Sequence, residues 1–308
     1  MKALVIINAH AGKGDHDVVR ETIARRLREG GIDFEFEEIK KGDYAADVVR
    51  RRLHDGFDLV VAAGGDGTVS CTLDGMQGSD IPIGIIPAGT GNMIARELDI
   101  PTKIDDAAAL IAGRDAQHKR IDAMRIGDHI YALNAGVGIN AAVVANTSRK
   151  DKSRLGFLAY VITTLRLLRS RPRRVDITVD GETRQYRTVE VAISNCGILA
   201  RTLYPSGPEI RADDGRLDIW ILSLESFFDY VRYLVGDIIL RRRTRATFLA
   251  ARNRIVIDSE RPWVAQADGE VIGHTPLEIE LVPGAVTVLV PATTLPAQGT
   301  NNVLSSRA

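Results

Sequence analysis

The run Gly64-Gly65-Asp66-Gly67-Thr68 constrains this chain more than any other segment. It stands behind an apolar stretch, residues 57–63, and ahead of a helix-like stretch, residues 69–76. A buried strand that ends in glycines and opens into a helix makes a cradle for an anion. Glycine has no Cβ to block close approach, so the backbone N–H groups of the turn can converge on one point. The helix start adds amides without intrahelical partners and a favourable dipole. Asp66 is the one acid in this turn, and a carboxylate there meets phosphate through Mg2+ or by taking a proton. An ordinary turn between strand and helix has the same composition, so its company decides the matter.

Two further loops keep it company. Asn8-Ala9-His10-Ala11-Gly12-Lys13-Gly14 follows the apolar run Leu4-Val5-Ile6-Ile7, and Pro87-Ala88-Gly89-Thr90-Gly91-Asn92 follows residues 81–86. The first is not a Walker A motif: Ile7 stands where glycine is needed, and Gly14 where Ser or Thr would bind magnesium. Its amides and Lys13 can still face a phosphate. Loops at the carboxyl ends of parallel strands open on one crevice. Thr90 and Asn92 would then bond a nucleotide or brace the crevice itself.

The flanking sequence fits such a sheet. Helical patterns at 17–30, 44–54, 93–98 and 105–113 alternate with strands at 4–7, 34–39, 57–63 and 81–86, the order of a doubly wound, Rossmann-like α/β layer. Beyond Ile121 the pattern changes to short alternating strands at 130–135, 175–179, 188–194, 217–222, 254–257, 277–281 and 286–290. Gly, Asp and Pro turns separate them, as in a mostly antiparallel β domain. Helical patterns at 155–168 and 227–240 interrupt it. The expected organisation is an α/β domain over 1–125, a β-sandwich-like domain over 126–295 and a frayed tail over 296–308.

Composition narrows the function classes. The chain has 308 residues, enough for two cores, with 45% hydrophobic and 26% charged residues as in a soluble globular protein. Forty basic residues balance forty acidic ones, which gives no reason to expect a nucleic-acid partner. The balance hides a local asymmetry: from Arg149 to Arg174 nine cationic residues face one acid, Asp151, and Arg241-Arg242-Arg243 with Arg245 form a second cluster. Solvated helix faces look like this. So does an element that docks on anionic lipid, given the apolar run 155–161 between Arg154 and Arg166. No apolar run reaches the ~20 residues of a membrane span, and residues 3–7 are too short for a signal segment. Cys71 and Cys196 stand far apart with no CxxC pair, which suits a reducing cytoplasm. Neither HExxH nor GxSxG occurs, so zinc and serine hydrolases find no support.

Three more turns carry acids or glycines. Gly136-Val137-Gly138-Ile139-Asn140-Ala141 matches a dinucleotide fingerprint formally, but no acid follows about 20 residues on; it reads as a tight structural turn. Asp213-Asp214-Gly215 reads as a turn, or as a hard-cation site if carbonyl oxygens join one carboxylate. Asp268-Gly269-Glu270 has the sequence of a hairpin turn.

Taken in order and spacing, Gly64-Gly65-Asp66-Gly67-Thr68, Pro87-Ala88-Gly89-Thr90-Gly91-Asn92, Asp213-Asp214-Gly215 and Asp268-Gly269-Glu270 resemble a known family over residues 8–291. These are the bacterial lipid kinases with a diacylglycerol kinase catalytic domain, relatives of sphingosine kinases. The first motif alone is shared with NAD kinases; the four together are specific. The resemblance implies a phosphotransferase with an alcohol acceptor, its active site in the cleft between the two domains. It implies ATP on Asn8, Gly12, Gly64, Gly65, Asp66, Gly67, Thr68, Val69, Ser70 and Thr90. It implies Mg2+ on Asp214 and the carbonyls of Arg211 and Arg216, with Glu270 as proton acceptor and Asp66 near the transferring phosphate. The implied partners are a lipid substrate and, through the basic helices, an anionic membrane surface met from the cytoplasm; a homodimer stays open. Three departures blur the substrate: a common threonine is replaced near Glu38-Ile39-Lys40-Lys41, Ser70-Cys71 stands for Asn-Glu, and Met93 for Asp. An NAD kinase would use Asn-Glu to grip ribose, and no Asn-Glu dipeptide occurs in the chain. A nucleotide or lipid sensor without turnover would not need Asp66 and Glu270.

Overall fold

Four parallel strands start the fold, the inner three buried on both faces and the outermost partly exposed. β1 (Lys2–Asn8), β2 (Asp33–Ile39), β3 (Leu59–Gly64) and β4 (Ile83–Pro87) run parallel in the order β2-β1-β3-β4. The computed structural model describes residues 1–8, 16–40, 44–113, 115–146, 172–198, 209–223 and 246–292. β3 and β4 are buried at every residue, which a parallel strand tolerates only under helices on both sides. The cover is α1 (His16–Glu29) with α5 (Ile104–Ala112), and α2 (Ala45–Arg52) with α3 (Asp66–Gly75). A short helix, α4 (Met93–Glu97), follows β4.

The second half is antiparallel. Its elements are β5 (Gln117–Ile126), β6 (His129–Tyr131), β7 (Asn134–Gly138), α6 (Ile139–Asn146), β8 (Arg173–Val179), β9 (Glu182–Thr188), β10 (Glu190–Ser194), β11 (Leu217–Leu222), β12 (Ala246–Ala251), β13 (Arg254–Ser259), β14 (Val264–Ala267), β15 (Glu270–His274) and β16 (Leu277–Val290). One sheet runs β12-β11-β10-β7-β14-β15. The other continues the parallel set as β4-β16-β13-β8-β9, with β5 beside β16 and β6 beside β5. Between these antiparallel faces lies a core in which Val175, Ile177, Ile255, Ile257 and Ile279 meet Val137, Val191, Ile193, Ile219 and Ile221. Period-two alternation puts them there: in β13, Ile255 and Ile257 are buried while Arg254 and Asp258 are exposed.

The expected two-part architecture, α/β followed by antiparallel β, is present, and particular elements differ. The helix after the glycine turn begins at Asp66, not at 69, because Gly65 takes the N-cap position. The strands expected at 277–281 and 286–290 are one strand, β16, with a bulge between Val282 and Val286. Gly284 has φ +54 there, and its amide donates to Asp122 Oδ1 at 2.7 Å. The strand expected at 130–135 is broken at Ala132 and Leu133 into β6 and β7. α6 begins inside the stretch read as a turn, and β5, β9, β12, β14 and β15 were not anticipated. The loop with Gly12, the helical patterns 155–168 and 227–240, the Arg241 cluster and the tail lie outside the described residues. Among the described residues, no helix is long and apolar enough to cross a membrane.

Candidate active site

Three strand ends of the parallel set are bonded into one crevice. Gly65 caps α3 in extended conformation with no side-chain cap, so the amides of Asp66, Gly67 and Thr68 have no intrahelical acceptor. Gly67 is exposed, and a Cβ there would meet open space. The turn packs backbone to backbone on the next loop: a Cβ at Gly89 would lie 2.5 Å from Gly65 Cα, and the Ala88 amide donates to the Gly64 carbonyl at 2.9 Å. Asn92, left-handed at φ 50, braces that loop through its side chain. Its Oδ1 accepts from the Gly89 amide and its Nδ2 donates to the Gly89 carbonyl, both at 3.0 Å. Asp66 Oδ1 accepts the Met93 amide at 2.5 Å. From the end of β1, Asn8 Nδ2 donates to Thr68 Oγ1 at 3.2 Å.

A turn of the antiparallel half closes on the same helix. The Ser70 hydroxyl donates to Asp268 Oδ2. The Asp268 carboxylate also accepts the amides of Ala132 at 3.1 Å and of Leu133 and Asn134 at 3.0 Å. Burial pushes this carboxyl up, against the pull of the Ser70 hydroxyl and the three amides. Asp268 and Gly269 both adopt positive φ, +46 and +82, and the chain emerges at Glu270, exposed at the start of β15. Nearby Tyr131 is pushed up to about 12, by burial first and then by the charges of Asp74, Asp268 and Glu270. Beside this turn lies a cavity of about 220 Å³ between Met93 and the outer face of the second sheet. Ala192 and Trp220, paired across β10 and β11, form its apolar side. Gln266 and Asn134 form the polar side, joined at 2.9 Å.

The Asp213-Asp214-Gly215 turn is held from below by Asp122, whose Oδ2 accepts the Gly215 amide at 2.8 Å. Among the described residues Asp214 Oδ1 is buried with no hydrogen-bond partner, while Oδ2 lies 3.1 Å from Arg216 Nε. An orphaned carboxylate oxygen of this kind suits a hard cation. Burial pushes Asp214 up, and Asp218 beside it up to about 6. Among the described residues no group of three or more His, Cys, Asp or Glu is arranged to hold a metal, so carbonyl oxygens would have to complete the shell.

The structure thus brings together Asn8, Gly64, Gly65, Asp66, Gly67, Thr68 and the loop of Thr90, facing the turn of Glu270. The Val69 side chain points into the core at 3% exposure, leaving only its backbone for a ligand. Ser70 is committed to Asp268. Arg211, Asp214 and Arg216 form a separate cluster: Arg211 pairs with Asp213, Arg216 lies beside Asp214 and Asp218, and the intervening Gly215 amide donates to Asp122. Sequence reasoning overlooked Asp268 as an anchor and Asp122 altogether; the only trace of the first is an acid placed directly before a Gly-Glu turn.

Comparison with known proteins agrees with this layout. Residues 2–126 match the family model of the diacylglycerol kinase catalytic domain, and residues 132–290 that of the YegS C-terminal NAD kinase beta sandwich-like domain. A diacylglycerol kinase of Mycobacterium tuberculosis strain H37Rv is 31% identical over 304 residues, 94% of this chain and 95% of that one. The crystal structure of a diacylglycerol kinase from Bacillus anthracis strain Sterne shares the fold, with a TM-score of 0.71 over 94% of this chain and 96% of its own, at 24% identity. The chain belongs to the lipid kinase family built from a diacylglycerol kinase catalytic domain and a beta sandwich-like domain.

Proposed function

We propose that this protein transfers the γ-phosphoryl group of ATP to the hydroxyl of a lipid alcohol, with Mg2+. The observation that carries the reading is the bonded convergence of three strand ends with the Asp268–Glu270 turn. Phosphoryl transfer needs positioning and charge neutralisation more than covalent help. The first amides of α3, which have no intrahelical acceptor, and the glycine loops would hold the triphosphate. Asp214 with the carbonyls of Arg211 and Arg216 would hold a structural Mg2+, and Mg2+ carried with ATP supplies positive charge against the phosphate oxygens. Glu270, exposed at the mouth of the crevice, would accept the proton of the attacking hydroxyl. Asp66, fixed by the Met93 amide, would stand beside the phosphates and their cation. The cavity between Met93 and Trp220 would take part of the acceptor. The arginine-rich stretches 149–174 and 241–245 would dock the enzyme on anionic lipid from the cytoplasmic side.

The test is ATP consumption with Mg2+ in mixed micelles against diacylglycerol, phosphatidylglycerol, a sphingoid base and a polyprenol, with NAD as a separate acceptor. Turnover on at least one lipid is expected, cut at least ~10²-fold by Asp66→Asn or Glu270→Gln. Consumption with NAD alone would overturn the lipid reading. Full activity in either variant would remove that residue from the mechanism.

A further inference from the structure

We infer that Glu190 is a positioning residue for the acceptor cavity, holding α6 and Asn140 over the second sheet; this rests on the lipid kinase reading. Strand alternation puts Glu190 and Ala192 on one face of β10. Across the sheet they pair with Gly138 and Gly136 on β7 and with Leu222 and Trp220 on β11. The opposite face of these strands fills the sandwich core, so this outer face is covered by α6. Ile139 and Val143 of the helix pack with Val189, Trp220 and Leu222.

In that apolar setting Glu190, 4% exposed, turns its carboxyl to the start of the helix. One oxygen, Oε2, accepts both the Ile139 amide at 2.5 Å and the Asn140 amide at 3.0 Å. The Asn140 side chain bonds it as well. Helix starts normally take such a cap from the residue just before them. Here that residue is Gly138, at φ +120, and a Cβ on it would fall 2.7 Å from Glu190 Oε2. The glycine clears the way for a cap supplied from another strand.

The capped helix forms a cavity wall, through Asn140, Val143 and the next residue, Val144. At about 220 Å³ the cavity is smaller than the ~300–1,000 Å³ of usual ligand clefts, so it takes one end of a lipid rather than two acyl chains. Moving α6 therefore changes acceptor binding. The nucleotide loops make their own bonds to one another and do not depend on the helix.

The experiment compares Glu190→Ala, Glu190→Gln and Asn140→Ala by steady-state kinetics with separate titrations of lipid and ATP. Binding is read independently by quenching of Trp220 with a brominated short-chain diacylglycerol in a Trp263→Phe background, which leaves Trp220 as the sole tryptophan. Glu190→Ala is expected to raise the lipid KM about tenfold, the scale of one lost cap, with ATP KM and kcat within about twofold. Glu190→Gln, whose amide oxygen accepts the same two N–H groups, should restore the lipid KM. Asn140→Ala should weaken quenching with an unchanged melting temperature, and it carries the test if Glu190→Ala does not fold. Equal changes in both KM values, or an unchanged lipid KM with lower stability, would overturn the proposal. Quenching without turnover on any lipid would sink the kinase reading and leave the cavity assignment standing; turnover without quenching would do the reverse.

Discussion

Burial sets the chemistry of Glu190. Its carboxyl is pushed up to about 8, chiefly by desolvation and against the pull of the Ile139 and Asn140 groups. Gly138, Leu222 and the start of α6 face it, and none carries a charge. From about pH 4.5 to about pH 8 the folded protein keeps a proton that the unfolded chain has released. Stability therefore falls as pH rises through that window. Glu190→Gln copies the neutral acid and cannot ionise, so it should flatten the fall. Urea unfolding at pH 5, 6.5 and 8 checks this. The parent chain should lose a few kcal/mol relative to the variant, at about 1.36 kcal/mol for each pH unit crossed, and parallel curves would refute it. Nothing in the sequence announces this residue. It is a single acid in Val189-Glu190-Val191-Ala192-Ile193, and its partner amides lie 50 or more residues earlier. Asp66 and Glu270 are legible because glycines flank them, and a turn is where an acid meets a ligand.

At the scale of elements, the glycine loops divide into two kinds. Gly89 is required by packing: a Cβ there would strike Gly65 Cα at 2.5 Å and Asn92 Oδ1 at 3.0 Å. Backbone cannot give way as a flexible side chain does, so Gly89→Ala should destabilise by about 1–3 kcal/mol and raise the ATP KM as the loops part. Gly67 meets open space, and its open side is where a phosphate would stand. Gly67→Ala should keep the melting temperature within a degree or two and still raise the ATP KM about tenfold or more. Thermal melts with ATP titrations separate the two cases; equal losses of stability would show that Gly67 also serves packing. β1, β3 and β4 were legible because strands covered on both faces read as unbroken apolar runs. β16 was not, because Pro283-Gly284 has the composition of a turn, and the distant side chains of Asp122 and Arg120 hold it as a bulge.

Across the whole molecule the two halves share a strand. β16 pairs with β13 at one end and with β5 along most of its length, and Val288 sits beside Ile83 of the parallel set. Asp122 on β5 reinforces this seam from the inside, at 4% exposure. Its carboxylate accepts the Gly284 amide of β16 and the Gly215 amide of the Asp213-Asp214-Gly215 turn, and its carbonyl accepts Asn195 Nδ2. A seam of this kind couples the parallel α/β layer to the sandwich, so they should melt together. Calorimetry is expected to show one transition for the parent chain; two separated transitions would show that the shared strand does not couple the halves. Asp122→Ala leaves two amides without acceptors, at about 1–3 kcal/mol each. It should lower the midpoint by at least about 5 °C and, by freeing the Gly215 turn, weaken any protection that added Mg2+ gives. The Ser70–Asp268 bond crosses the same boundary nearer the crevice, so loosening the seam should lower kcat before it abolishes ATP binding.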